Sequence, residues 1–361
     1  MAILHEATKE VIAKVVYHGA GRCGKTTSLM FLDNYLPAGR KGRFISLETP
    51  TERTLFFDML PVMASAGGYK FRYLLYATPG QEYYHASRRL VLKGADAIVF
   101  VVDSQRERVQ DNHEAFELLK KNLSELGQRA ENVPTVIQFN KRDLSNAIPI
   151  ADAERRFNTE HNLSFPAVAR TGDGVVETFL TAAKMALTRL SQPGGEDRMG
   201  KLFRTTVISE EEAATLKDRL EKLNREGSML GSLLVDESSG VLASAGEVPS
   251  NDMETLGALL ACNFMAAQEL ASNLSGASFS GTMQRGKRWM LRSYRVDERR
   301  FLVLVCASGS DRRRIRDAAL YFKGPLAAYL EHIDQVSPNR LSRMSDLFSS
   351  VTQIAVTGLA G

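Results

Sequence analysis

Cysteine is scarce in this chain of 361 residues, with three thiols, at positions 23, 262 and 306. Thiols so few and so scattered exclude a disulfide framework and a zinc cluster built on paired cysteines. Cys262 falls in an apolar helix-like run and Cys306 in a strand-like one, so both read as small core residues. Long apolar runs are missing too. Nothing approaches the roughly 18 apolar residues that cross a bilayer, and the opening "MAILHEATKE" carries acid where a secretory leader has an apolar core. The expectation is a cytoplasmic protein without an integral membrane segment. Nor is there a large excess of one charge, the formal balance being +4. A nucleic-acid binder needs a clustered basic face with stacking aromatics. Here Arg312, Arg313 and Arg314 form one short run, while Lys287, Arg288, Arg292 and Arg295 are spread along a strand-like segment. They read as a solvated or protein-docking face ahead of a nucleic-acid or anionic-lipid contact, so no nucleic-acid partner is expected.

What is present suits a folded protein of two domains. The length exceeds a single domain of usual size, and 44% hydrophobic with 24% charged residues supplies a core. Residues 1–190 alternate strand and helix patterns, the rhythm of a mostly parallel sheet covered on both faces. "VIAKVVYHG", "FRYLLYA", "AIVFVVD" and "TVIQFN" are strands, and "NHEAFELLKKNLSELG" places Phe116, Leu119 and Leu123 at helical spacing. Residues 191–201, "SQPGGEDRMGK", read as a linker. Residues 202–335 run helix, two strands, helix, three strands, helix, which predicts an antiparallel sheet with helices beside it. Residues 336–361 read as a mobile tail in which Leu341, Met344 and Phe348 share one face of a short helix.

The chemistry sits in the first region. "GAGRCGKT", Gly19 to Thr26, fits Gly-x4-Gly-Lys-Thr between a strand and a helix. In that context Gly19, Gly21, Arg22, Cys23, Gly24, Lys25, Thr26 and Thr27 form a cradle whose N–H groups face phosphate. Lys25 adds a point charge on the outer phosphates, and the Thr26 hydroxyl is a magnesium ligand. "NKRD" supplies Asn140, Lys141 and Asp143 after a strand. A carboxylate there accepts from both the ring imino and the exocyclic N–H groups of guanine, a pair that adenine lacks, and a wrong base leaves a buried acceptor unmet. Ala169 and Thr171 in "ARTG" are the candidate remaining base loop. The stretch "ATPGQ" raises a difficulty. A GTPase places an aspartate three residues before the glycine of its Gly-Gln pair, and the residue in that place is Ala77, ahead of Gly80 and Gln81.

"YHGAGRCGKTTSL", "TERTLFFDMLP", "TPGQ", "ASRRLVLKGADAIVFVVDSQ" and "VIQFNKRDL" resemble the MglA family of bacterial gliding-motility polarity GTPases, over essentially residues 5–190. That family also lacks the aspartate, so Ala77 reads as a lineage trait. The resemblance implies a phosphate-loop small-GTPase fold, GTP and GDP as substrate and product, and Mg2+ as cofactor. It further implies Arg53 as an intrinsic arginine finger, Thr54 as a second magnesium ligand with Thr26, and Gln81 as the residue that orients the attacking water. Two residues, Ala20 and Arg22, depart from the family's usual Pro and Leu.

Residues 202–335 are similar to the roadblock family in its MglB branch, on "GSLLVDESSGVLASAG", the apolar helix from Asp252 to Leu270, and "RFLVLVCASGSDRRRIR". Residues 253, 256, 260, 264 and 265 there serve core packing or a partner face. The resemblance implies a homodimer through this domain, contact between GTPase and roadblock in cis or in trans, and a downstream effector protein. The expected function is a self-regulated GTPase of bacterial cell polarity or motility. The alternative is a nucleotide-sensing scaffold in which Ala77 and Arg22 leave hydrolysis negligible and the roadblock surface recruits partners.

Overall fold

The structure is a computed structural model that describes residues 2–49, 53–80, 85–158, 161–191, 205–238, 240–248, 252–275 and 278–360. The chain forms two compact units. One comprises Met1–Ala2, Val11–Phe203 and Leu341–Gly361, the other Ile3–Glu10 and Arg204–Arg340. The linker read at 191–201 lies outside the described residues beyond Ser191.

The elements run, in chain order, β1 (Ile3–His5), β2 (Glu10–Gly19), α1 (Lys25–Tyr35), β3 (Ile45–Thr49), β4 (Arg53–Ala66) and β5 (Tyr69–Ala77). There follow α2 (His85–Leu92), β6 (Ala97–Asp103), α3 (Val109–Glu125), β7 (Thr135–Asn140), α4 (Ile150–Phe157), β8 (Leu163–Pro166) and α5 (Val175–Ser191). In the first unit the strand order is β3-β4-β5-β2-β6-β7-β8. Strands β2, β6, β7 and β8 pair parallel, and β3, β4 and β5 antiparallel. Every residue of β6 is buried. Since successive side chains point to opposite faces, unbroken burial means that both faces are covered. Helix α5 packs on β6 and against α1, while α3 packs on β6 and against α2 and α4.

The β4–β5 ladder is set by its turn. Gly67 and Gly68 both have positive φ, 57° and 80°, and join Ala66 to its partner Tyr69. Two such residues make the tight hairpin turn whose twist matches the strands, and they fix the register. That register runs back to the far end of the ladder, where Asp58 lies opposite Ala77.

The second unit contains β9 (Thr206–Ile208), α6 (Glu210–Gly227), β10 (Gly231–Asp236), β11 (Val241–Gly246) and α7 (Met253–Ser275), then β12 (Gly281–Arg285), β13 (Trp289–Arg295), β14 (Arg300–Ala307) and, as far as Arg340, helix α8 (Arg312–Ala360). Its sheet has order β11-β10-β14-β13-β12, antiparallel throughout. Helix α6 begins at a capping box. The Ser209 hydroxyl accepts from the Glu212 N–H and the Glu212 side chain from the Ser209 N–H, which satisfies two orphan donors. On one face of the sheet Leu233, Val235, Phe301, Val303 and Val305 meet Leu260, Ala261 and Phe264 of α7, with Phe264 stacked on Phe301 at 4.6 Å between centroids.

Although β1 opens the chain, it belongs to this unit. It pairs parallel with β9, Ile3 opposite Thr206, Leu4 opposite Val207 and His5 opposite Ile208. The side chains of Ile3, Leu4, Val207 and Ile208 are all buried. From α8, Ser337 Oγ accepts from the Val207 N–H at 2.9 Å. Helix α8 contains Pro325 and Pro338 and continues beyond both. Among the described residues no helix is long and apolar enough to cross a membrane.

Candidate nucleotide site

Strands β2, β6 and β7 end together on one edge of the parallel sheet, where α/β folds bind ligands. The loop after β2 is the Gly19–Thr26 segment, and it passes directly into α1. The Lys25 ammonium is buried and donates to the carbonyls of Gly19 at 3.0 Å and Ala20 at 2.7 Å. Its charge is thus held by loop carbonyls, groups that a phosphate can replace. Gly21 and Gly80 touch across the mouth of the loop. A Cβ on Gly21 would stand 2.8 Å from the Gly80 oxygen, and one on Gly80 2.6 Å from the Gly21 Cα. A side chain at either position pushes the segment that leads to Gln81 off the phosphate loop.

The base motif holds two loops together. Asn140 Nδ2 donates to the Cys23 carbonyl at 2.7 Å, and Asn140 Oδ1 accepts from the Ala169 N–H at 2.8 Å. One buried amide therefore ties the phosphate loop to the "ARTG" loop, with both ends of its dipole satisfied. Lys141 Nζ lies 2.6 Å from Asp103 Oδ2. Asp143 sits nearer to solvent, 3.6 Å from Arg170, and Thr171 donates to Asp173 at 2.7 Å.

The missing aspartate has a counterpart. Asp58 on β4 is fully buried, and its carboxylate accepts from the Thr26 hydroxyl at 2.5 Å and from the Ser46 hydroxyl at 2.6 Å. Residues directly opposite in an antiparallel pair project from the same face. Asp58 opposite Ala77 thus places a carboxylate on the face where an aspartate at 77 would put one. Two hydroxyls and a carboxylate are hard oxygen donors of the kind that suits magnesium, which takes few protein ligands and keeps waters and phosphate oxygens. Among the described residues no group of three or more His, Cys, Asp or Glu side chains is placed to hold a metal ion.

Just ahead of the loop, His18 is buried and stacks on Phe100, and its Nδ1 lies 3.1 Å from Thr78 Oγ1. Burial, then the positive charges of Lys25 and Arg88, lower its pKa to about 3, so the ring is neutral at physiological pH.

The Ras family signature matches residues 14–188 of this chain, and the Roadblock/LC7 domain signature matches residues 215–306. The mutual gliding-motility protein MglA of Myxococcus xanthus (strain DK1622) is 46% identical over 195 residues, 54% of this chain and 100% of that protein. The chain belongs to the MglA family. Its first unit is an MglA-type Ras-family unit, and the Ras-related protein RABF2a of Arabidopsis thaliana is a more distant relative, 26% identical over 179 residues, 49% of this chain and 82% of that protein. The second unit carries the roadblock domain. Solved structures similar to it include MglB with tetrameric arrangement (25% identity, 37% of this chain and 99% of that one, TM-score 0.34) and Myxococcus xanthus MglB (23%, 35% and 96%, TM-score 0.33).

In this MglA-family chain the residues 19, 21–27, 80, 140 and 169 gather at one sheet edge. Arg53 and Thr54 open β4, where Thr49 pairs with Arg53 and Glu48 with Thr54; their side chains lie outside the described part, and so does Gln81. Asp58 and Ser46 were not among the candidates read from sequence. The signal for Asp58 lay in "TERTLFFDMLP", but its meaning depends on the hairpin register.

Proposed function

We propose that the chain is a guanine-nucleotide switch that hydrolyses GTP to GDP and phosphate, with magnesium, in the cytoplasm of a bacterium. The observation that carries the reading is the pairing of Thr26 with Asp58 opposite Ala77. It supports a magnesium site made from two neighbouring strands and the phosphate loop, so the absence of an aspartate at 77 is no argument against turnover. Magnesium when bound supplies charge neutralisation on the outer phosphates. Thr26 would hold the ion directly, with Thr54 as its family-implied second hydroxyl, and Asp58 would orient its water shell. Lys25 would leave the loop carbonyls for the phosphates. Asp143 would accept from guanine, and the Ala169 N–H, fixed by Asn140, lies in the loop that closes over the base.

Arg53 is proposed as the arginine that stabilises charge on the transferring phosphoryl group, and Gln81 as the residue that orients the attacking water. The roadblock unit is proposed to dimerise and to promote turnover. Its edge strand β12 and exposed apolar side chains at Leu259, Leu270, Phe279 and Met283 support a face that pairs with a second copy. From the gliding-motility name of the Myxococcus relative, the process proposed is cell polarity or motility. Single-turnover hydrolysis with Arg53→Ala and Gln81→Ala tests the enzyme reading. Each variant is expected to keep GTP and to hydrolyse it about a hundredfold more slowly or worse. Rates equal to those of the unaltered chain would leave a nucleotide-sensing scaffold in its place.

A further inference from the structure

A single arginine grips the phosphate loop from the start of α3. Arg108 Nη2 donates to the Gly21 carbonyl at 2.6 Å. The arginine is itself held from two sides: Nη1 pairs with Asp111 one turn along α3, and Nε lies 3.7 Å from Asp103 Oδ2. Asp103 is fully buried and closes β6. Its carboxylate also takes Lys141 Nζ at 2.6 Å, and the backbone and side-chain N–H groups of Gln105 at 3.2 and 3.1 Å. One carboxylate thus joins the arginine on the phosphate loop to the lysine of the base motif.

The geometry of the peptide gives that grip a consequence. The Gly21 carbonyl and the Arg22 N–H belong to one peptide unit, and none of the described peptides is cis. In a trans peptide the C=O and N–H point in opposite directions. Fixing the carbonyl on a guanidinium therefore fixes the N–H on the other side. Arg22 itself has a φ of 63°, so the chain turns left-handed immediately after that N–H, a backbone shape that gathers successive N–H groups round an anion.

We propose that Arg108 is a positioning residue for the nucleotide: through the Gly21 carbonyl it aims the Arg22 N–H at the phosphate chain. The inference rests on the GTP-binding reading above. It assigns to Arg108 nucleotide retention, and with it the lifetime of the loaded switch, without any contact to the nucleotide. Asp103 couples that grip to Lys141, so the phosphate loop and the base motif tighten together.

The test uses the full chain loaded with fluorescent GDP or GTP analogues and chased with excess unlabelled nucleotide. A hydrogen bond from a charged donor to a carbonyl is worth about tenfold in affinity. Arg108→Ala is expected to release both nucleotides about tenfold faster and to shift the 31P resonance of the bound β-phosphate. Arg108→Lys should recover part of the loss, and Asp111→Asn should change release by less than about twofold. Should Arg108→Ala fail to fold, Arg108→Gln, which keeps N–H donors without the charge, serves the same comparison and is expected to release nucleotide faster. Wild-type release with an unmoved 31P resonance in a folded Arg108 variant would overturn the inference and leave the GTP-binding reading intact. Failure of the unaltered chain to retain either nucleotide would overturn both.

Discussion

Two parts of the molecule bury charge in different ways. At the phosphate loop, the Lys25 ammonium rests on the carbonyls of Gly19 and Ala20, which are neutral groups. In the second unit, charges neutralise one another. Arg300, 1% exposed, pairs with Asp334 and with Asp297; Arg299 pairs with Asp236, Arg295 with Glu237, and Arg340 with Glu212. Neutral partners can be exchanged for a ligand at little cost, whereas an ion pair out of water cannot lose a member without stranding the other. The first arrangement is that of a binding site and the second that of a scaffold. Titration carries the same contrast. Asp236 would have its pKa raised by burial, but Arg299 and the Ser238 hydrogen bonds outweigh that and lower it, so it stays charged.

Three experiments would break or sharpen this contrast. The largest effect is expected from Asp334→Ala, which leaves Arg300 buried with one carboxylate fewer and should destabilise the second unit by about 3 kcal/mol. The chain's single tryptophan, Trp289, lies on β13, so its fluorescence during urea unfolding reads that unit. Nucleotide affinity should be unchanged, and a loss of both would mean that the two kinds of burial are not separate. Next comes Asp58→Asn, expected to slow GTP hydrolysis by about a hundredfold, or about 2.7 kcal/mol in barrier, and to raise the magnesium concentration needed. Adding Ala77→Asp to that variant should restore part of the rate, since the two positions face each other across the ladder. Unchanged turnover in Asp58→Asn would remove that carboxylate from the chemistry. The smallest effect concerns pH. Unfolded His18 takes a proton near pH 6.5, and the folded ring refuses it down to about 3. Its contribution is therefore complete above pH 6.5 and falls as pH drops, by about 2 kcal/mol at pH 5. Asp236, with its pKa lowered from 3.8, keeps its contribution until pH falls below that value. Hydrogen exchange of β6 amides from pH 7 to 5 should show the first unit loosening before the second. His18→Phe should flatten that slope, and an unaltered slope would place the titration elsewhere.

Much of the first unit was legible because its chemistry is written in short contiguous segments. A phosphate loop needs its glycines and lysine at fixed spacing, and the Asn140 motif follows a strand whose apolar run marks its end. The place of Asp58 was not legible, since it lies opposite position 77 only through a register that comes from the Gly67–Gly68 turn rather than from any spacing to the phosphate loop. The strands of the five-stranded sheet and the helices beside it were legible from alternation and turn residues, whereas β9 was not. The place of β1 was not. "MAILHEATKE" reads locally as the lead-in to a strand, and nothing near it names Thr206–Ile208 as its neighbour. The length of α8 was likewise hidden, because prolines at 325 and 338 ordinarily argue for an earlier stop.

The pairing of β1 with β9 has a consequence for biosynthesis. The ribosome makes Ile3–His5 first and their partners Thr206–Ile208 some 200 residues later, a wait of about 10–40 s at ordinary elongation rates. During that interval the first unit has time to fold before β9 exists. The second unit closes only when the chain returns to pick up its own beginning, so a gene fragment that starts after the first unit lacks the strand with which β9 pairs.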